Sequence, residues 1–201
     1  MLIYMNKKEK SNKCIVITAP SGAGKTTVVR HLLARWPDLL GFSVSATNRP
    51  RRFNEKEGRD YYFLTTDEFQ KKVELGAFVE YEEVYNGRYY GTLRTELERL
   101  WNQDKTIVFD IDVQGALKIK DNIEAGCLTI FVKPPNEKVL IDRLKRRKTE
   151  TAEDLQMRID KIRNELSYQN CFDKILVNDI LEVTLKEAEL MVEEFLEIKK
   201  E

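Results

Sequence analysis

The pattern of apolar and polar residues divides this chain into two kinds of segment. Short runs that are mostly apolar and rich in β-branched residues are typical of buried parallel strands, and they occupy residues 14–18, 106–112, 128–132 and 174–178. Apolar residues at helical spacing predict helices over 26–36, 93–101 and 155–168, another that starts near 136, and a last one opened by a capping box from Thr184 to Glu187. Because strands and helices alternate, the chain is predicted to be α/β, with a mostly parallel central sheet and helices on both faces.

Residues 43–94 have a different pattern, which is typical of a β-rich insert. Short strands are predicted over 42–47, 61–64, 78–81 and 84–85, with Asn86-Gly87 as a hairpin turn and a short helix over 66–73 that Gly76 ends. A polar loop over 48–60 lies between the first two of these strands. Loops of this length inside a compact domain are often functional.

The segment between the first strand and the first helix indicates phosphate binding. Strand, small-residue turn, Lys-Thr and helix form the context of a P-loop, where backbone N–H groups and the helix dipole hold an anion. Lys25 would reach the β- and γ-phosphates of ATP, and the Thr26 hydroxyl would ligate Mg²⁺ in MgATP. Ala19 stands where the pattern has Gly, which matters only if its φ is positive. The predicted ATP-binding segment is Ala19, Pro20, Ser21, Gly22, Ala23, Gly24, Lys25 and Thr26.

Composition excludes several other classes of protein. Lys+Arg and Asp+Glu both number 34, so no overall field favours nucleic acid, and no apolar run approaches the length of a membrane span. The three cysteines are widely spaced and odd in number, which fits a reducing compartment. The apolar start at residues 1–5 is too short for a signal-peptide core, so a cytoplasmic protein is expected, with 1–12 as a flexible lead-in.

Several separated motifs make the chain resemble the guanylate kinase family over residues 13–197. The resemblance implies a P-loop NTPase three-layer fold in which 13–42, 95–136 and 168–201 form the core, 43–94 a GMP-binding insert, and 137–167 a small helical lid. It also implies transfer of the γ-phosphoryl group of ATP to GMP or dGMP. No obligate protein partner is implied, and the sequence leaves the oligomeric state open. The motifs are the P-loop, Ser43-Val44-Ser45-Ala46-Thr47, Gly58-Arg59-Asp60-Tyr61-Tyr62-Phe63, Phe78-Val79-Glu80-Tyr81, Tyr89-Tyr90-Gly91-Thr92, Asp110-Ile111-Asp112-Val113-Gln114-Gly115, the basic stretch 143–150 with Arg158, and Val177-Asn178-Asp179.

The same resemblance implies a set of acceptor contacts. Glu80 would accept from N1 and N2 of guanine, with Thr92 and Ser45 near O6. Arg49, Arg52, Tyr61 and Tyr90 would hold the GMP phosphate, although Arg51 could replace either arginine because the proline of the motif sits one place early. Asp112 would contact GMP and Asp110 would lie nearer the magnesium; both could instead cap the turn that follows. Glu80 could equally be a solvated strand carboxylate.

Donor and lid contacts are implied in the same way. Arg147 and Arg158 resemble lid arginines that close over the transferring phosphoryl group, so that Lys25, Arg52, Arg147 and Arg158 form the expected catalytic set. Arg143 would lie beside the adenine, with Asn178 near the same base, although a basic helix end explains the 143–148 cluster as well. No general base is required, because the acceptor is a phosphate oxygen that is largely ionised at neutral pH. His31 is accordingly expected at the surface.

Two other functions compete with this interpretation. One is a binding domain of the same fold that recognises phosphopeptides without catalysis, which the intact Gly24, Lys25 and Thr26 argue against. The other is a kinase for a phosphorylated ribose, which the combination of Glu80, Tyr90 and Thr92 argues against.

Overall fold

A computed structural model describes residues 12–85, 87–123, 126–140 and 152–198. None of the helices in these ranges has the length and apolar character that crossing a bilayer requires. The elements are β1 (Cys14–Thr18), α1 (Lys25–Arg35), β2 (Leu40–Phe42), β3 (Ala46–Thr47), β4 (Tyr62–Phe63), α2 (Thr66–Glu74), β5 (Phe78–Tyr85), β6 (Arg88–Leu93), α3 (Arg94–Trp101), β7 (Thr106–Asp110), α4 (Val113–Asn122), β8 (Cys127–Lys133), α5 (Ala152–Ser167), β9 (Lys174–Val177) and α6 (Leu181–Leu196).

The central sheet has five strands in the order β2-β7-β1-β8-β9, and every pair of neighbours is parallel. Side chains of β1 alternate between two cores: Ile15 and Ile17 pack with α1 and α6, whereas Cys14 and Val16 pack with α3 and α4. The predicted α/β fold, with helices on both faces of a parallel sheet, is therefore confirmed. Because β1 and β7 are parallel neighbours, the P-loop after β1 and Asp110 at the end of β7 meet at one edge of the sheet.

A second, mixed sheet has the order β4-β3-β6-β5. It closes over its own small core, in which Phe69 of α2 stacks on Phe78 of β5 with ring centroids 4.5 Å apart. Buried Glu96 of α3 accepts hydrogen bonds from the Val44 N–H at 2.9 Å and the Tyr62 hydroxyl at 2.9 Å. These bonds hold the second sheet against the helix that follows it.

Three local predictions are wrong. Residues 42–47 do not form one strand: β2 ends at Phe42 in the central sheet, and β3 begins at Ala46 in the second sheet.

The last helix begins at Leu181, so Thr184 does not open a capping box. The Thr184 hydroxyl donates to the Ile180 carbonyl at 3.0 Å inside the first turn.

The strand predicted over 106–112 ends at Asp110, and α4, which was not predicted, follows it. Asp112 is the N-cap of α4, where its carboxylate accepts from the Gly115 N–H at 2.8 Å. The cap thus fixes the direction of a carboxylate at the edge of the sheet where the P-loop lies.

Candidate active site

The P-loop conformation depends on two glycines. Gly22 and Gly24 have φ values of +86° and +100°, a region that other residues rarely adopt. Ala19 is not among the described residues with positive φ, so alanine is accommodated there without backbone strain. A Cβ added to Gly24 would lie 2.1 Å from Nδ2 of Asn178, which itself donates to the Ala23 carbonyl at 2.7 Å.

Lys25, Thr26 and Asp110 come together at the end of β1 and β7. Lys25 Nζ is paired with Asp110 Oδ1, and the Thr26 hydroxyl donates to Asp110 Oδ2 at 3.1 Å. Burial lowers the pKa of Lys25 to about 8, while the carboxylates of Asp112 and Glu165 act in the opposite direction. Lys25 is therefore mostly protonated at neutral pH. One hydroxyl and one carboxylate within hydrogen-bonding distance are oxygen donors of the kind that Mg²⁺ prefers, so the residues present fit this ion.

A cavity of about 530 Å³ lies over the P-loop. Helix α5 forms its far wall, which brings the predicted Arg158 to the site. Glu165 of α5 also lines it; this carboxyl is buried, its Oε2 has no hydrogen-bond partner in the described part of the chain, and burial raises its pKa. No sequence motif singled out Glu165 or Lys161. The lining residues are Ala19, Pro20, Ser21, Gly22, Gly24, Lys25, Thr26, Thr27, Val84, Asp112, Arg158, Lys161, Ile162 and Glu165.

A second cavity of about 260 Å³ adjoins the first on the side of the mixed sheet. Val84 and Asp112 line both cavities, so the two spaces meet at these residues. Of the predicted acceptor residues, Ser45, Tyr61, Glu80, Tyr90 and Asp112 line it directly. The remaining lining residues are Glu82, Gly91, Asp110, Ile111 and Gly115.

Glu80 is a buried carboxyl and not a solvated one. It is 6% exposed, lies opposite Thr92 in the β5–β6 pair, and accepts a hydrogen bond from the Thr92 hydroxyl, with 2.7 Å between the two oxygens. Burial raises the pKa of Glu80 to about 7, and the charge of Asp112 adds to this effect. A Cβ on Gly115 would lie 3.3 Å from both Glu80 Oε2 and Asp112 Oδ1, so glycine leaves room between the two carboxylates. Gly115 belongs to the motif that begins at Asp110, but the motif does not predict this role for it.

Arg49 lies beside this cavity in a polar cluster of its own. Its guanidinium is 4.8 Å from the centroid of the Tyr61 ring, and Tyr61 meets Tyr90 edge-on at 5.9 Å. Both nitrogens of its outer edge donate to the carboxylate of Glu55. Sequence reasoning did not single out Glu55.

Arg52 lines neither of the two cavities and is exposed. Arg143 and Arg147, the other expected lid and donor arginines, lie outside the described residues. Tyr62 and Tyr89 point away from the acceptor cavity, into the Glu96 bond and against Phe69, as the alternation along a strand requires. His31 donates from Nε2 to Oε1 of Glu189 on α6 at 2.8 Å, and its side chain is 31% exposed.

Comparison with known proteins identifies the family. The family model described as "Guanylate kinase" matches residues 11–195. A guanylate kinase of Porphyromonas gingivalis is 43% identical over 184 residues, which is 92% of this chain and 98% of that protein. One of Thermotoga maritima is 44% identical over 167 residues, 83% of this chain and 79% of that protein.

A solved structure agrees with these sequences. The crystal structure of guanylate kinase from Anaplasma phagocytophilum is 27% identical, with a TM-score of 0.70 over 96% of this chain and 89% of that one. The overall fold described above therefore belongs to a known architecture. This chain is a member of the guanylate kinase family.

Proposed function

We propose that this chain transfers the γ-phosphoryl group of ATP to GMP or dGMP and releases ADP and GDP or dGDP. The observation that carries the proposal is the position of Glu80: a buried carboxyl, held by Thr92, in a cavity that meets the P-loop cavity at Asp112. A purine acceptor in the second cavity and a nucleoside triphosphate on the P-loop would then approach each other along one line.

Recognition of guanine follows from hydrogen-bond complementarity. Guanine presents N1–H and N2–H₂ donors, and Glu80 with Asp112 offers carboxylate acceptors on either side of Gly115. Adenine has no N1–H and would leave a desolvated carboxylate without its partner, which is how a site of this kind rejects an analogue strongly. Ser45 lines the same cavity and would donate to O6.

The acceptor phosphate would lie at the outer end of the same cavity. Arg49 supplies a cationic fork there, and the hydroxyls of Tyr61 and Tyr90 supply further donors. Arg52 would join them only when the insert over 43–94 moves toward the core. Such closure excludes water and completes the set of donors.

The donor triphosphate would be held by the P-loop amides, Lys25 and the N-terminus of α1. Thr26 and Asp110 would hold Mg²⁺, which neutralises charge between the β- and γ-phosphates when it is bound. Arg158 on α5 lines this cavity and would stabilise the equatorial oxygens of the transferring group, a role that Arg147 of the proposed 137–167 lid would share. Arg143 and Asn178 are assigned to the adenine side of this site.

An acceptor panel tests the proposal. The protein is supplied with MgATP and, separately, with GMP, dGMP, AMP, UMP and ribose phosphates, and ADP formation is measured against a mixture without acceptor. We expect turnover with GMP and dGMP but with no other acceptor. We also expect ATP to be consumed only slowly when no acceptor is present. Turnover with a ribose phosphate instead would favour the competing kinase, and no turnover with any acceptor would favour the phosphopeptide-binding domain.

A further inference from the structure

The polar loop over 48–60 contains an ion pair between Arg49 and Glu55, and the proposed function gives no role to Glu55. Arg49 donates from Nη1 to Glu55 Oε2 at 2.7 Å and from Nη2 to Glu55 Oε1 at 2.5 Å. Nη1 also donates to the carbonyl of Pro50 at 3.0 Å. The two side chains are only 7% and 15% exposed, so this pair is largely shielded from water.

These bonds occupy one edge of a planar group. A guanidinium carries five N–H donors, and the three bonds use both donors of Nη1 and one of Nη2. These three bonds do not use the second Nη2–H or the Nε–H, which lie parallel on the adjacent edge, in the spacing that two oxygens of a phosphate match. The hydrogen bonds to Glu55 raise the pKa of Arg49 most, and the hydroxyl of Tyr90, which lines the acceptor cavity, interacts with the same guanidinium and adds to this effect. The Tyr61 hydroxyl interacts with this guanidinium as well.

Glu55 is itself fixed within the loop. Its Oε2 accepts from the Arg52 N–H at 2.9 Å, and its own N–H donates to the Arg52 carbonyl at 3.1 Å. Hydrogen bonds from Arg49 hold the pKa of Glu55 at about 2, so the carboxylate keeps its charge at every pH at which the enzyme would be assayed. The geometry of Arg49 is therefore set before any ligand binds, and preorganisation of this kind improves affinity.

We propose that Glu55 is a positioning residue for the acceptor phosphate. It holds the outer edge of Arg49 and thereby presents the Nε–Nη2 edge to the phosphate of GMP, between Tyr61 and Tyr90. The inference rests on the proposed function, because it assigns the phosphate of GMP to this end of the cavity. If Glu55 were instead a counter-ion that the phosphate must displace, removal of its charge would lower KM for GMP.

The test compares Glu55→Gln with Glu57→Gln. Glu57 is a carboxylate of the same loop that accepts from the Phe63 N–H at 3.0 Å and does not contact Arg49, which makes it a matched control. With Glu55→Gln, KM for GMP is expected to rise about tenfold, since one of two charge-assisted bonds to Arg49 is lost. KM for ATP and the inhibition constant of guanosine, which has no phosphate, should change less than about twofold, as should every constant of Glu57→Gln.

A double variant separates positioning from folding. Because Glu55 acts through Arg49, adding Glu55→Gln to Arg49→Lys should change KM for GMP by less than about twofold. The inference is overturned if Glu55→Gln lowers KM for GMP, leaves it unchanged, or weakens the binding of GMP and guanosine equally. None of these results would contradict the proposed function, because the wild-type chain would still phosphorylate GMP. Absence of GMP phosphorylation by the wild-type chain would instead overturn the proposed function.

Discussion

Replacing Glu80 by Gln keeps the shape of the side chain and removes a charge that folding has desolvated. Burial raises the pKa of Glu80 from its ordinary value of 4.5 to about 7. An acid with a raised pKa binds its proton more tightly in the folded state, so the folded protein loses stability as pH rises from 4.5 through 7. A difference of one pKa unit between the folded and unfolded states corresponds to about 1.4 kcal/mol. The raised pKa of Glu80 therefore lowers the free energy of unfolding by about 3 kcal/mol at pH 8 and by about 1 kcal/mol at pH 5.

Glu80→Gln should therefore stabilise the ligand-free protein while it impairs recognition of the acceptor. Urea denaturation at pH 5 and pH 8 would measure the first effect, and the gain in unfolding free energy should be about 2 kcal/mol larger at the higher pH. Steady-state assays would measure the second: kcat/KM for GMP should fall about 100-fold or more, because the amide presents a donor where guanine also presents donors. Glu83→Gln, an exposed carboxylate on the same strand, is the control and should change neither quantity appreciably.

Two results would refute this reasoning. If Glu80→Gln destabilised the protein equally at both pH values, the carboxyl would not carry a desolvation penalty in the folded state. If kcat/KM for GMP stayed within about threefold of wild type, Glu80 would not read the guanine edge.

Three further predictions concern the P-loop. Lys25→Met should lower kcat by about 1,000-fold or more without lowering the melting temperature greatly, which steady-state kinetics and calorimetry would check. Asp110→Asn should raise the Mg²⁺ concentration needed for half-maximal rate about tenfold at fixed ATP, as a magnesium titration would show, and an unchanged requirement would remove Asp110 from the metal site. Gly24→Ala should lower the free energy of unfolding by about 2 kcal/mol or more, because Gly24 has a φ of +100° and the added Cβ would collide with Asn178. Ala19→Gly, the matched reverse change, should leave the free energy of unfolding and the affinity for ATP nearly unchanged.

The order of elements in the core could be predicted because its central strands, β1, β7 and β8, are buried on both faces. Continuous apolar runs at 14–18 and 128–132 are typical of such strands, and the P-loop needs a strand before it and a helix after it. The sequence does not predict helix α4 because its apolar stripe is short and interrupted by Gly115, although capping of the following turn is one of the two roles predicted for Asp112. Thr184 shows the reverse error: the local capping pattern is present, but tertiary packing begins the helix one turn earlier.

The residues of the site were predictable where a motif fixes both type and spacing. Lys25, Thr26 and Asp110 come together because two adjacent parallel strands end at one edge of the sheet. No motif marks Glu55 or Glu165. Glu55 meets Arg49 within an irregular loop, and Glu165 meets the P-loop cavity from a helix that is distant in sequence. Burial of Glu80 likewise comes from the pairing of β5 with β6 and the approach of α4, which alternation along one strand does not reveal.

The central claim is that the acceptor and the donor occupy two cavities that meet at Val84 and Asp112. A crystal structure with GMP and a non-hydrolysable ATP analogue with Mg²⁺ tests it most directly. We expect Glu80 to contact N1 and N2 of guanine, and an oxygen of the GMP phosphate to lie about 3–3.5 Å from the γ-phosphorus in a closed complex. Guanine bound away from Glu80, or a GMP phosphate outside reach of Arg49 and pointing away from the P-loop, would contradict the account.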